Sequence, residues 1–481
     1  MHMTKSPIIV WFRQDLRITD NPALNAAGAT GRPIIALYIL DDHSPGAWRK
    51  GGASRWWVNG SLSSLSKALK KLGLYLALRR GKAADVLHAL ISETSAGAVY
   101  WNRCYEPFAI ERDKAIKTTL RAKGVNIESF NSSLLFEPWE LRTLSQTPFK
   151  VFAPFYKAAL KAPSPHTPLP APKSLRPFEG TVSSDNLETW ALQTTTPDWA
   201  GGLREAWTPG EASAQTNLHR FLDDTVGDYY KGRDIPGQAL TSRQSPHLHF
   251  GEISPHQIWH TTLAREPNAG TASYLREVVW REFAYHLLFH WPAITDQPLR
   301  ADFKNFPWAT DAMSLKAWQR GQTGYPIVDA GMRELWTTGW MHNRVRMIAA
   351  SFLVKHLLQP WQVGAAWFWD TLVDADLANN SASWQWVAGC GTDAAPYFRV
   401  FNPVLQGLKF DGTGEYVRRW VPEIAALPNE WIHKPWDAPM DVLASANLKM
   451  GTTYPWPIIE LTAGRDRALA ALKTIRQTSA P

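Results

Sequence analysis

The opening third of the chain alternates between two hydrophobic periodicities. PIIVWF (7–12) and RPIIALYIL (32–40) are unbroken apolar runs rich in β-branched residues, the pattern of strands buried on both faces. Between them, TDNPALNAAG places Asp20 as a helix N-cap with Pro22 in the first turn. SRWWVNGSLSSLSKALKKLG (54–73) has helical periodicity and stops at Gly73, read as the C′ glycine. LYLALRR (74–80), AGAVYWN (96–102) and VNIESF (125–130) supply further strands. Strand and helix in alternation predict an α/β domain with a parallel, Rossmann-like sheet over residues 1–135.

The pattern then changes twice. KAPSPHTPLPAPKSLRPFEG (161–180) carries six prolines, a density that excludes helix and sheet interiors. It marks an extended connector, assigned to residues 136–211. Beyond it the apolar positions follow a helical period in QTNLHRFLDD, SYLREVVWREFAYHLLFHW, IVDAGMRELWTTGW and NRVRMIAASFLVKHLL. Residues 212–481 are therefore expected to form an all-α domain.

Composition narrows the function. Hydrophobic residues make up 45% and charged residues 20%, the balance of a globular protein, and no apolar run approaches bilayer length. Two cysteines, Cys104 and Cys390, exclude a disulfide framework and a four-thiolate metal site, and point to a reducing cytoplasm. A net charge of +8 suits a polyanionic partner. Tryptophan is abundant, 25 against 13 tyrosines, which offers stacking platforms and redox-active side chains beyond core filling. The phosphate signatures of nucleotide sites are missing: no GxGxxG follows the first strand, and Gly81-Lys82 runs into Ala83.

Four stretches concentrate polar chemistry. In LREVVWREF, Glu277, Trp280 and Arg281 share one helical face, which by spacing alone reads first as an intrahelical ion pair beside a core indole. Glu282, His286 and His290 recur every four residues on the same helix; without a further ligand they read as structural, and no metal is expected. GWMHNRVRM brings Trp340, Asn343, Arg344, Arg346 and Met347 within two turns, after glycines and tryptophans that suggest a close-packed bend. In ALTSRQSPHLHFGEIS, hydroxyls surround Arg243, the kind of set a pyrophosphate wants where no glycine-rich loop is provided. DADLANNSASWQW (374–386) adds two carboxylates, adjacent amides and two indoles, and Trp384 and Trp386, two apart, cannot share one pocket wall on a regular helix.

Together these segments resemble the photolyase/cryptochrome family. VWFRQDLRITDNPAL, TSRQSPHLHFGEIS, VVWREF, GYPIVDAGMRELWTTGWMHNRVRM and DLANNSASWQWVAGCGTDAAPYFRVFNP all follow its pattern, from the first strand to about residue 425. The resemblance implies FAD held in a U shape by the helical domain. Tyr229 and the run Thr241, Ser242, Arg243, Gln244 and Ser245 would hold its diphosphate and ribityl chain. Glu277, Arg281, Trp340, Asn343, Arg346, Asp374 and Asp376 would surround the rest, with Asn380 beside flavin N5. Trp308, Trp361 and Trp384 match the family's electron-transfer tryptophans. Glu277, Trp280, Asn343, Arg344, Met347, Trp386 and Arg399 match residues lining a lesion pocket, and Arg233 a DNA-backbone contact.

The resemblance also implies a branch. Members acting on (6-4) photoproducts carry paired histidines where His342 is followed here by Asn343. Plant cryptochromes have aspartate at the position of Asn380 and long C-terminal tails, and iron–sulfur members need four cysteines. The expectation is light-driven repair of cyclobutane pyrimidine dimers, close to the class III enzymes, with a cryptochrome-like photoreceptor as the alternative. Damaged DNA would be the partner of a cytoplasmic monomer that joins the nucleoid when bound. An antenna chromophore is implied, methenyltetrahydrofolate foremost, but its site stays open: the family's Asn-Glu pair reads Ile110-Glu111, and 291–304 lacks the second contact.

Overall fold

The computed structural model describes residues 6–393 and 398–478. Residues 394–397, inside the longest motif, and both chain ends lie outside the described residues. Five parallel strands, β1 (Ile8–Phe12), β2 (Ile34–Leu40), β3 (Leu76–Arg80), β4 (Ala98–Asn102) and β5 (Asn126–Phe130), lie in the order β3-β2-β1-β4-β5. Helices α1 (Pro22–Ala29), α2 (Gly52–Lys71), α3 (Ala83–Thr94) and α4 (Pro107–Ala122) join successive strands. Ile8 lies opposite Ile34 on one side and Ala98 on the other, so β1 is the buried centre of the sheet.

Side chains alternate along a strand, and β1 supplies two cores. Ile8, Val10 and Phe12 pack with Leu24 of α1 and with Trp57, Leu62 and Leu65 of α2. Ile9 and Trp11 pack with Leu87 and Leu90 of α3 and Ile116 and Leu120 of α4. The unbroken apolar runs of the sequence are explained by this two-sided burial.

One expected element boundary moves by a residue. The N-cap of α1 is Asn21, whose side chain accepts from Leu24 N at 3.1 Å, with Pro22 as the first helical residue. Asp20 precedes the cap with φ at 46° and turns its carboxylate elsewhere. Proline's fixed φ belongs at the first helical position, so the cap is its immediate predecessor.

The connector is not extended throughout. FAPFYKAALK forms α5 (Phe152–Lys161), because Phe152, Phe155 and Ala159 share a face buried in the helical core. The proline-rich stretch after it runs along the first domain: Asp20 N donates to Leu169 O at 2.7 Å and Ile34 N to Arg176 O at 2.8 Å.

The helical part comprises α6 (Gly201–Ala206), α7 (Glu211–Asp224), α8 (Val226–Gly232), α9 (Ser245–His249), α10 (Pro255–Leu263), α11 (Ala269–His290), α12 (Ala312–Gln319), α13 (Pro326–Thr338), α14 (Asn343–Ser351), α15 (Trp361–Thr371) and α16 (Leu377–Ala388). Then follow α17 (Pro403–Phe410), α18 (Glu415–Trp420), α19 (Met440–Ser445) and α20 (Leu461–Thr478). The long α11, started by an Asn268 capping box, packs on α5, α8, α10 and α16. The bend between α13 and α14 turns on Gly339 at φ 68°, where a Cβ would meet Val373 Cγ1 at 2.7 Å. The two parts are joined by buried polar groups. Arg17 donates to Gly251 O and to Ser132 O, each at 2.9 Å, and Leu135 N donates to Glu282 Oε2 at 2.8 Å. Among the described residues no helix is long and apolar enough to cross a membrane.

Candidate functional site

The DADLANNSASWQW stretch is the turn into α16 and the helix itself. Asp376 is its N-cap, accepting from Asn379 N at 2.9 Å, and also accepts from Tyr285 OH at 2.5 Å and His249 Nδ1 at 3.3 Å. Burial alone would raise this carboxyl, but His249, Arg281 and Tyr285 together hold it well below the ordinary carboxylate range. Asp374, buried beside it, accepts two hydrogen bonds from Arg346 Nη2, at 2.9 and 3.1 Å. One turn into the helix, buried Asn380 donates to Ala365 O at 3.1 Å.

The loop before α9 faces this region. Arg243 adopts a left-handed backbone (φ 51°), and its guanidinium lies over the rings of Trp207 (4.1 Å) and Trp340 (5.0 Å). Glu334 and Asp374 act on Arg243 by charge alone: among the described residues they bond Tyr416 and Arg346 instead. Thr241 and Ser242 are half-buried, while Ser245 is exposed and accepts from Trp340 Nε1 at 3.4 Å. Tyr229 of α8 is packed between Phe221 and Tyr274, and burial with nearby Glu277 pushes its phenol far above the usual value. Arg243 Nε, Gln244 Oε1 and, on α16, Ser381 Oγ are buried with no hydrogen-bond partner among the described residues. Unpaired buried polar atoms are costly. On the loop before α9, two such atoms beside a guanidinium without a carboxylate partner fit a ligand that carries anionic groups and hydrogen-bonding edges.

The three indoles expected to act in series are set at increasing exposure. Trp384 and Trp361 are buried and Trp308 is half-buried. Gly364, one turn after Trp361 in α15, abuts the Trp384 ring: a Cβ there would lie 2.2 Å from Cη2. Ala309 N donates to Leu358 O at 2.8 Å, which holds the neighbouring Trp308 close to the start of α15.

On the other side of α11 the expected intrahelical pair does not form. Glu277 pairs with Arg233, the residue closing α8, and Arg281 instead donates to Ser133 O at 2.6 Å and lies 3.3 Å from Glu282. Glu277 thus binds a cation delivered by another helix, and Arg281 serves the domain junction. Trp280 stacks face to face on Phe152 at 3.5 Å. On α14, Asn343 is exposed, Arg344 pairs with Asp234 at 2.9 Å and lies over Phe410, and Met347 is half-buried. Trp386 is half-buried and donates to Asp393 O at 2.9 Å; it lines a shallow cavity with Lys355, Phe398 and exposed Arg399. Trp384 and Trp386 therefore do face different surroundings, one the core and one this cavity.

Several partners were not legible in local sequence: Trp207 under Arg243, Phe152 on Trp280, Asp234 against Arg344, and His249 and Tyr285 on Asp376. Each comes from a distant element. The histidines of α11 are committed to structure. His286 accepts from Phe149 N at 3.0 Å, and both His286 and His290 bond Pro138 O. Ile110 and Glu111 lie on α4, within one turn of the Asp113 carboxylate that pairs with Arg13 and Arg112 beside Trp11.

Comparison with known proteins agrees with this arrangement. Residues 8–173 match the family model for DNA photolyase, and residues 274–474 match that for the FAD binding domain of DNA photolyase. The chain belongs to the DNA photolyase family, and the cofactor of its helical domain is FAD. It is 50% identical to a deoxyribodipyrimidine photo-lyase of Agrobacterium fabrum, over the whole of both chains. It is 40% identical to cryptochrome-1 of Arabidopsis thaliana, over 98% of this chain and 71% of that one. A crystal structure of a bacterial class III photolyase from Agrobacterium tumefaciens superposes with a TM-score of 0.96 at 49% identity, covering 99% of each chain. The unpaired Arg243 guanidinium and the orphaned atoms around it fit FAD, whose diphosphate and hydroxyls supply an anion, acceptors and donors.

Proposed function

We propose that this chain is a deoxyribodipyrimidine photolyase that splits cyclobutane pyrimidine dimers in DNA under blue or near-UV light. The observation that carries this reading is α16, which buries Asn380 and Trp384 on one side and presents Trp386 to a cavity on another. One helix thereby joins a redox site to an aromatic surface. When bound, reduced FAD would supply light-driven one-electron chemistry at this site, with no net redox change once the two carbon–carbon bonds of the cyclobutane have opened.

The residues divide the remaining work. Arg243 with Thr241, Ser242, Gln244 and Ser245 holds the diphosphate, flanked by Tyr229 and Trp340. The Arg346–Asp374 pair, Asp376 and the Asn380 amide would hold the flavin, the amide adding a hydrogen bond without adding charge. Trp384, Trp361 and Trp308 carry reducing equivalents inward from solvent. Trp280 and Trp386 hold an extruded dimer against apolar rings, with Asn343 and Met347 lining the pocket; stacking of roughly 1–3 kcal/mol per base offsets part of the extrusion cost. Glu277 would hydrogen-bond the dimer, while Arg233, paired with it, would set its position and supply the positive charge that offsets the negative charge developing there. Arg233, Arg344 and Arg399 meet the phosphate backbone.

The same reading divides the chain into 1–135, 136–211 and 212–481, makes it a cytoplasmic monomer bound to the nucleoid through DNA, and adds an antenna chromophore, methenyltetrahydrofolate foremost. Product analysis tests it. Illuminating the reduced holoprotein with a thymine-dimer oligonucleotide should return the intact strand, with none recovered in the dark. Binding of flavin and DNA without recovery would move the chain to light sensing.

A further inference from the structure

Asp20, displaced from the cap of α1, is brought against two histidines from distant segments. Its side chain is 1% exposed. His166, on the proline-rich stretch, places Nε2 3.6 Å from Oδ1, and His256, the second residue of α10, places Nδ1 3.9 Å from Oδ2. One ligating atom from each of the three lies within 4.8 Å of the others. The imidazoles lie against one another with centroids 3.7 Å apart.

His256 is the unusual member. It is buried, and neither ring nitrogen has a hydrogen-bond partner among the described residues. Burying an imidazole with both nitrogens unpaired is costly. The chain's other histidines at domain junctions are satisfied: His247 bonds Glu252 at 2.5 Å, and His260 bonds the carbonyls of Pro165 and His166 at 3.0 Å.

We propose that Asp20, His166 and His256 bind a divalent transition-metal ion of zinc's class, pinning the connector to both domains. A tetrahedral site with bonds of about 2.0–2.1 Å sets its ligand atoms roughly 3.3 Å apart. The ligand atoms here lie within 4.8 Å of one another and the two imidazoles pack against each other, so closing on an ion needs the His166 ring, 45% exposed, to swing off His256 by about an ångström or more. Two imidazoles and one carboxylate are a borderline set that suits zinc, nickel or copper; magnesium and calcium prefer oxygen alone.

Ser254 Oγ and Leu169 N, the latter at 2.9 Å, orient the Asp20 carboxylate from behind. Arg17 also faces this pocket; its donors are taken by the carbonyls of Asp20, Gly251 and Ser132, and its charge places the affinity below that of an isolated two-histidine, one-carboxylate set.

The test uses the full-length, FAD-loaded chain after chelator treatment, titrated with zinc chloride by calorimetry and followed by thermal unfolding. The expected result is one equivalent bound and a higher unfolding midpoint, both lost in His166→Ala. That side chain is about half exposed and its hydrogen bond to His260 is made by its backbone carbonyl, so the variant should keep its fold, checked by unchanged FAD content. No binding by the parent chain at micromolar zinc, or equal binding by the variant, would overturn the proposal.

Discussion

Gly364→Ala is the substitution whose sign is best set by the geometry. In an exposed helix interior, replacing glycine with alanine stabilises by about 1 kcal/mol through reduced backbone freedom. Gly364 lies inside α15, where a Cβ would sit 2.2 Å from Trp384 Cη2, 2.6 Å from Cζ3 and 2.7 Å from Leu353 Cδ2. Carbon contacts settle near 3.5–4.0 Å, so the indole or the helix must move by more than an ångström. Trp384 is already packed by Phe368 at 5.0 Å and Trp318 at 6.3 Å and has little room to yield. Overpacking of this kind costs about 1–3 kcal/mol, which outweighs the propensity gain. The expected outcome is net loss of stability by urea unfolding, together with slower photoreduction of bound FAD. Trp384→Phe, which removes the donor and leaves a cavity rather than a clash, should slow photoreduction with a stability loss of its own. A Gly364→Ala protein more stable than its parent, with parental photoreduction, would refute the close apposition of α15 and Trp384.

Glu277→Gln should lower the yield of repaired dimers per absorbed photon while FAD content holds; equal losses of both would make Glu277 a structural partner of Arg233 alone. Arg399→Ala, removing an exposed guanidinium at the cavity rim, should lower the slope of log affinity for DNA against log salt by about one; an unchanged slope removes Arg399 from the interface. Buried histidines make stability fall in acid. His286 titrates ordinarily near 6.5 when unfolded but is pushed down to about 4 when folded, chiefly by burial and then by His290. The unfolded chain takes up the proton first, so the contribution is lost as pH falls from about 6.5 to about 4. His286→Gln should flatten that part of the stability profile by close to one proton, and an unchanged profile would contradict the neutral assignment.

What was legible in sequence followed from how local each signal is. The β1 and β2 runs announced a two-sided sheet because burial on both faces leaves no polar position. The polar stretches from 239 to 254 and from 374 to 386 could be picked out because each packs its chemistry into one turn or helix. Spacing along one helix proved a poor guide to pairing. Glu277 found Arg233 rather than Arg281, and Asp20 yielded the cap to Asn21 and met His166 and His256 instead. Those contacts join segments far apart in the chain, where no periodicity can record them. The shape of α5 was hidden for a related reason: its apolar face acquires meaning only against α11.

The account rests on bound FAD as the photochemical donor to a dimer held against Trp280 and Trp386. Its most direct measurement is the action spectrum of dimer repair by the reduced holoprotein, set beside the absorption spectrum of its bound chromophores. The two should coincide, and the dark rate should be zero. Repair in the dark, or light-driven repair by protein stripped of FAD, would contradict it.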